Sequence, residues 1–205
     1  MIRRMMLLGA LALPGCSVLP DRPYIETQRF PLAPARPVGS PRRGGREVLL
    51  IRDMRAAPGL DTRGLRSIRA DGTLAIAPYA EWAALPAEAA EAALRDWLRG
   101  SGLFAAIAAP GSRLTHSLVL ETELLALEQD GPASARAAIA ALLVVDSTLG
   151  ANRVLGQIVA RGAAPVPGAG SAAAASGIVA ALGAALAALE TELATLLPSL
   201  TTARR

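Results

Sequence analysis

The sequence predicts an α+β domain, a mixed and mostly antiparallel sheet packed by helices, including a long C-terminal helix, behind a short apolar N-terminal run and a proline-rich tether. Three observations predict it. Short apolar strand-like runs crowd the middle of the chain without alternating regularly with helices. One helical stretch with apolar residues at spacings of three and four interrupts them. A long alanine- and leucine-rich helical stretch follows the last of them.

The N-terminal stretch sets the compartment. Arg3 and Arg4 form a positive region, and Met5 to Leu13 is apolar. That run is too short to span a hydrocarbon core of about 30 Å as a helix. Leu13-Pro14-Gly15-Cys16 follows and resembles a lipobox. Leu13, Gly15 and Cys16 match that pattern, and Pro14 departs from it. The resemblance implies that residues 1–15 are removed, that the thiol of Cys16 carries diacylglyceryl, and that its new amine is acylated. Several acyl chains on one residue meet the requirement for stable anchoring. Ser17 rather than Asp after the cysteine implies passage to the outer membrane.

Composition excludes several classes. The 21 basic residues are all arginine, so the pI near 10.4 reflects residue choice more than a basic surface, and the net charge is only +4. No basic block is interleaved with aromatics, so a nucleic-acid partner is not expected. Cys16 is the sole cysteine, which leaves no disulfide within the chain.

Residues 16–45 read as a tether. Pro20, Pro23, Pro31, Pro34, Pro37 and Pro41 break helices and favour an extended spacer. Within it, Phe30-Pro31-Leu32 suits a sheet edge, where proline is tolerated. The folded domain is expected over 46–200. Val48-Leu49-Leu50-Ile51 reads as a strand buried on both faces. Leu65 to Ile68 and Leu74 to Ala77 read as a hairpin across Asp71-Gly72, ended by Pro78. Ala80 to Arg99 reads as a short helix, then a longer one from Pro86, with Trp82 and Trp97 as core or partner-binding residues. Leu103 to Ile107 is strand-like again.

The second half reads β-β-β-α. Ser117 to Leu127 alternates, with Leu118, Leu120, Thr122, Leu124 and Ala126 on one face and Glu121 and Glu123 on the solvent face. Ala133 to Val145 and Arg153 to Ala160 follow, joined through residues 146–152. These lengths suit an antiparallel meander. Ser171 to Leu197 reads as a helix whose Ile178, Leu182, Leu186, Leu189, Leu193 and Leu196 make one stripe. Its uncharged part is long enough to cross a bilayer, but its many Ala, Gly and Ser residues favour packing on the sheet, with a partner-binding helix as the alternative.

Catalysis finds little support. His116 is the only histidine, so a zinc site lacks ligands and a hydrolytic triad lacks a nucleophile elbow. Gly168-Ala169-Gly170-Ser171 mimics a dinucleotide loop without the following parallel strand. No cofactor is expected.

The lipobox, the aromatic-x-Leu strand at Phe30-Pro31-Leu32, Leu60-Asp61-Thr62-Arg63 before a hairpin, and Tyr79-Ala80-Glu81-Trp82-Ala83 stand in an order that resembles the PqiC-type ABC-transporter auxiliary lipoproteins. The resemblance implies a non-catalytic outer-membrane lipoprotein that faces the periplasm. Its implied partners are an MCE-domain periplasmic protein, with an inner-membrane permease and ATPase, in a machine that moves phospholipid between membranes. A homo-oligomer is left open by it. A structural lipoprotein of a secretion or cell-wall assembly would share the anchor.

Overall fold

The computed structural model describes residues 23–37, 39, 45–146 and 152–198. Cys16 and the rest of the lipobox lie outside these residues, as does most of the connector after Asp146.

The sheet is built around one strand. In chain order the strands are β1 (Gln28–Phe30), β2 (Val48–Ile51), β3 (Arg55–Ala56), β4 (Gly64–Ile68), β5 (Leu74–Trp82), β6 (Ala106–Ala108), β7 (Leu118–Asp130), β8 (Ser134–Val145) and β9 (Arg153–Pro165). The helices are α1 (Pro86–Ser101) and α2 (Ser171–Leu196). β7 is 13 residues long, and its length decides the topology. Along one edge it accepts three short parallel strands in turn. β2 lies beside Leu118–Leu120, β3 beside Glu123–Leu124 and β4 beside Gln129–Asp130. Along the other edge β8 runs antiparallel from Val145 beside Leu118 to Ser134 beside Asp130, and β9 continues the meander. β6 joins β2, and β1 joins β5, both parallel.

The sheet is therefore mixed. Its longest ladders are the antiparallel meander, as the strand lengths imply, while the first half of the chain adds parallel strands. Such pairings join segments far apart in sequence, and no local pattern encodes them.

Both helices lie on one face and touch each other. Alternation along β7 sends Leu118, Leu120 and Leu124 to that face, where all three are fully buried. A bulge between Leu124 and Ala126 then reverses the alternation. Leu127, not the expected Ala126, is buried beyond it. The extra residue of the bulge is what a strict two-residue period misses.

Three further expectations change. The strand expected to end at Pro78 continues to Trp82, and no short helix forms from Ala80. Proline is tolerated there because β5 is near the sheet edge, and its pairing with β4 is interrupted between Ile76 and Glu81. β1 then supplies a new partner at Ala80–Trp82. β9 runs on to Pro165, held along its whole length by β8. The strand expected from Leu103 begins only at Ala106, because Leu103 and Phe104 are buried in the turn after Gly102. That glycine closes α1 in the left-handed region at φ 69°.

α1 starts with Pro86, whose missing N–H costs nothing in a first turn. Its buried stripe includes Ala90, Leu94, Trp97 and Leu98. Glu91 on the same face accepts the backbone N–H of Met54 and pairs with Arg95, tying the helix to the β2–β3 loop. α2 is long and apolar enough to cross a membrane by length and composition. In this fold Ile178, Leu182, Leu186, Leu189 and Leu193 are instead fully buried in the core. Small residues set the spacing. A Cβ on Gly162 of β9 would lie 2.1 Å from the Ala181 carbonyl oxygen and 2.3 Å from the Ala185 nitrogen. Helix backbone fills that space. Leu196, at the end of the expected stripe, is partly buried against the core.

The hairpin between β4 and β5 forms across Asp71-Gly72 as its dipeptide predicts. Asp71 Oδ1 accepts the Thr73 hydroxyl at 2.7 Å and the Thr73 N–H at 2.9 Å. These two donors, the hydroxyl first, hold its carboxyl below the ordinary 3.8.

Two outcomes are expected. Gly162→Val should cost about 3 kcal/mol or more in urea unfolding, the high end for overpacking, since the obstacle is backbone. A Gly162→Val chain as stable as the wild type would show that α2 shifts freely on the sheet. The Asp71 carboxyl should titrate by NMR with a midpoint below 3.8. Its depressed folded pKa gives a contribution present above the unfolded value and lost as pH falls through the folded one. A Thr73→Val variant should move that midpoint upward.

Candidate functional site

The part of the tether that enters the domain is the feature the sequence does not announce. After β1 the chain stays extended and lies along the helices. Leu32 is buried among core residues. Two helix glycines face the next residues of the chain. A Cβ on Gly183 of α2 would lie 3.4 Å from Pro34, and one on Gly100 of α1 would lie 3.4 Å from the Arg36 side chain, both ordinary contact distances.

Arg36 ends this strap with a clamp. Its Nη2 donates to Glu190 Oε1 at 2.9 Å and its Nε to Oε2 at 3.3 Å. The indole Nε1 of Trp97 donates to the same Oε2 at 2.8 Å. One carboxylate on α2 thus holds an arginine from the strap and a tryptophan from α1. The three groups are largely removed from water, which strengthens each charge-assisted bond. The joined residues are 154 and 93 positions apart, so no spacing rule points to them. Between strap and α1 lies a cleft of about 410 Å³ lined by Pro31, Pro34, Ala89, Ala93 and Trp97.

The residues singled out in the sequence fall in different places. Trp82 ends β5 with 1% exposure, beside Phe30 of β1, and its N–H donates to the Arg63 carbonyl at 2.7 Å. Trp97 is 4% exposed. Neither ring reaches the surface. His116 precedes β7 and sets Nε2 3.0 Å from Asp146 Oδ2. The neighbouring Ser117 hydroxyl donates to Glu47 instead of to this histidine. Glu121 and Glu123 lie on the face without helices, paired with Arg52 and Arg55. Gly168 and Gly170 lead into α2 with positive φ, and the Gly170 carbonyl accepts the Ala174 N–H. Among the described residues no cluster of His, Cys, Asp or Glu is arranged to hold a metal ion.

A carboxylate missed in the sequence is Glu128, only 4% exposed although it lies on the open face. The bulge in β7 puts it there, beneath Arg66 at 3.4 Å and Arg136 at 2.7 Å. Its hydrogen bond raises the already high pKa of Arg136.

A mixed sheet backed by two helices, with an N-terminal strap clamped across them, defines an α+β domain. The chain belongs to the family of ABC-type transport auxiliary lipoprotein components, whose model matches residues 30–194. That match begins in β1, so the strap lies within the family unit. Solved structures share the fold. A Xanthomonas campestris protein of the DUF330 family is 23% identical, with a TM-score of 0.65 over 84% of this chain and 98% of its own. A second crystal structure, of an uncharacterized protein, is 12% identical, with a TM-score of 0.57 over 73% of this chain and 93% of that one. No curated protein sequence matches the chain.

Trp97→Phe keeps an aromatic ring and deletes one donor to Glu190. It should lower stability by about 1–3 kcal/mol in urea unfolding. Arg36→Ala should do the same and should speed subtilisin cleavage within residues 31–37. The control is Arg29→Ala, which breaks an exposed pair with Glu81 and should leave the unfolding midpoint nearly unchanged. Equal losses in Arg36→Ala and Arg29→Ala would show that the clamp holds nothing.

Proposed function

We propose that this chain is a non-catalytic accessory subunit of an MCE-type ABC transporter, acylated on Cys16 and anchored in the outer membrane with its domain in the periplasm. The observation that carries the reading is the family match over residues 30–194, joined to the lipobox at Leu13–Cys16. The clamp on the strap supports it, because a domain that works on a lipid leash needs its first residues fixed to its core. His116 faces Asp146, and the buried Glu128 is engaged by arginines.

In this reading the domain is a periplasmic platform beside the outer membrane. Its partners are an MCE-domain protein with its inner-membrane permease and ATPase, and its cargo pathway is phospholipid passing between the two membranes. Detergent extraction of the acylated chain should bring down all three. Recovery of only secretion or peptidoglycan-assembly proteins would overturn the transport reading. Cys16→Ser should abolish incorporation of labelled palmitate, and unchanged labelling would overturn the anchor.

A further inference from the structure

Both tyrosines of the chain are exposed, Tyr24 at 90% and Tyr79 at 52%. Ile25, Leu74 and Ile76 are also open, the last at 57%. These five make up most of the exposed large apolar side chains among the described residues. The topology gathers them. β1 runs parallel to β5 with Gln28 beside Ala80. Residues just before Gln28 and residues just before Ala80 therefore lie at the same end of the sheet. Leu74 and Ile76 stand beside Ile68 and Arg66. Arg66 reaches Glu128 on the open face, so Ile76 shares that face. Leu74 and Ile76 thus lie on the open face of the β4–β5 hairpin, and Tyr24, Ile25 and Tyr79 lie at the end of the sheet from which β1 starts.

A strand from another protein does not fit this corner. Among the described residues, the outer edge of β5 is paired only from Ala80 onward. Before that, Pro78 has no N–H to give, and Tyr79 has φ 57°, which turns the backbone out of the extended region. A ladder added here would break after Ala77. What the corner presents is side chains: two amphipathic rings and three aliphatic groups. Tyrosine favours the membrane–water interface, where its ring is apolar and its hydroxyl stays wet. Headgroups and interfacial water also satisfy the unpaired strand edge.

The tether selects the same occupant. Tyr24 is eight residues beyond Cys16, a reach of at most about 28 Å fully extended. A domain of this size is roughly 40 Å across, from a radius of gyration near 16 Å. The leash is thus shorter than the body it holds, and it holds the body by this corner. We propose that the patch of Tyr24, Ile25, Leu74, Ile76 and Tyr79 seats on the phospholipid interface and sets the tilt of the domain on the membrane. The proposal rests on the reading of Cys16 as acylated.

The test uses the full acylated protein in phosphatidylethanolamine–phosphatidylglycerol vesicles containing brominated acyl chains. Ile76→Trp places a reporter in the patch and Val159→Trp places one on β9. The native Trp82 and Trp97 are buried and serve as the background. Ile76→Trp fluorescence should fall about twofold more than that of Val159→Trp. Leu74→Trp reports on the same patch if a larger ring over Gly64 disturbs the hairpin. Equal quenching at positions 76, 74 and 159 overturns the proposal. Mass spectrometry of the same sample reads the anchor separately. An unmodified Cys16 removes the leash and the proposal with it, whereas an acylated Cys16 with unquenched reporters sinks the patch alone. Loss of transporter partners on Leu74→Ser/Ile76→Ser, with no quenching in vesicles, would show that protein and not lipid covers the corner.

Discussion

Everything in this fold hangs on the two edges of β7. Thirteen residues of one strand carry β8 along one edge and three separate parallel strands along the other. None of those three strands exceeds five residues, too short to persist alone. β7 gives each of them a ladder and places their loops around the α1 side of the core. Its inward leucines form the floor on which both helices lie. The bulge at the middle lets the same strand send leucines inward in both halves while turning Glu128 toward its two arginines.

The elements that were legible in the sequence are those with a local signature. Val48–Ile51 reads correctly from its apolar run, although Val48 and Leu50 are only partly buried. The Asp71-Gly72 hairpin reads from turn chemistry, and α2 reads from its stripe to within a residue at its C-terminal end. Misreadings cluster where a distant partner decides. The stretch Ala80–Trp82 is composed like a helix start but is claimed by β1, some fifty residues away. Pro31, Pro34 and Pro37 read as spacer because proline composition says nothing of the helix surface against which the chain lies. The clamp was hidden for the same reason. Trp97 stands out in its own segment, but Arg36 and Glu190 do not, and the three meet only when α1 and α2 touch.

The clamp also explains the economy of the two helices. α2 reserves its buried stripe for aliphatic groups and alanine, and it places Glu190 at the margin of that stripe. A half-buried carboxylate would be unfavourable there without partners. It receives one from each element that the helix must position, so a single acid fixes three segments in mutual register.

The strap has a mechanical consequence for any load applied along the axis of β1. Ladder bonds lie across a strand, so the three β1–β5 pairings are loaded together in shear and not one after another as in unzipping. Behind them the chain continues through Pro31 to Leu32, seated in the core, and then to the Arg36 cleat on α2. Such a load meets the edge-strand ladder first and the cleat next, ahead of β7 and its meander.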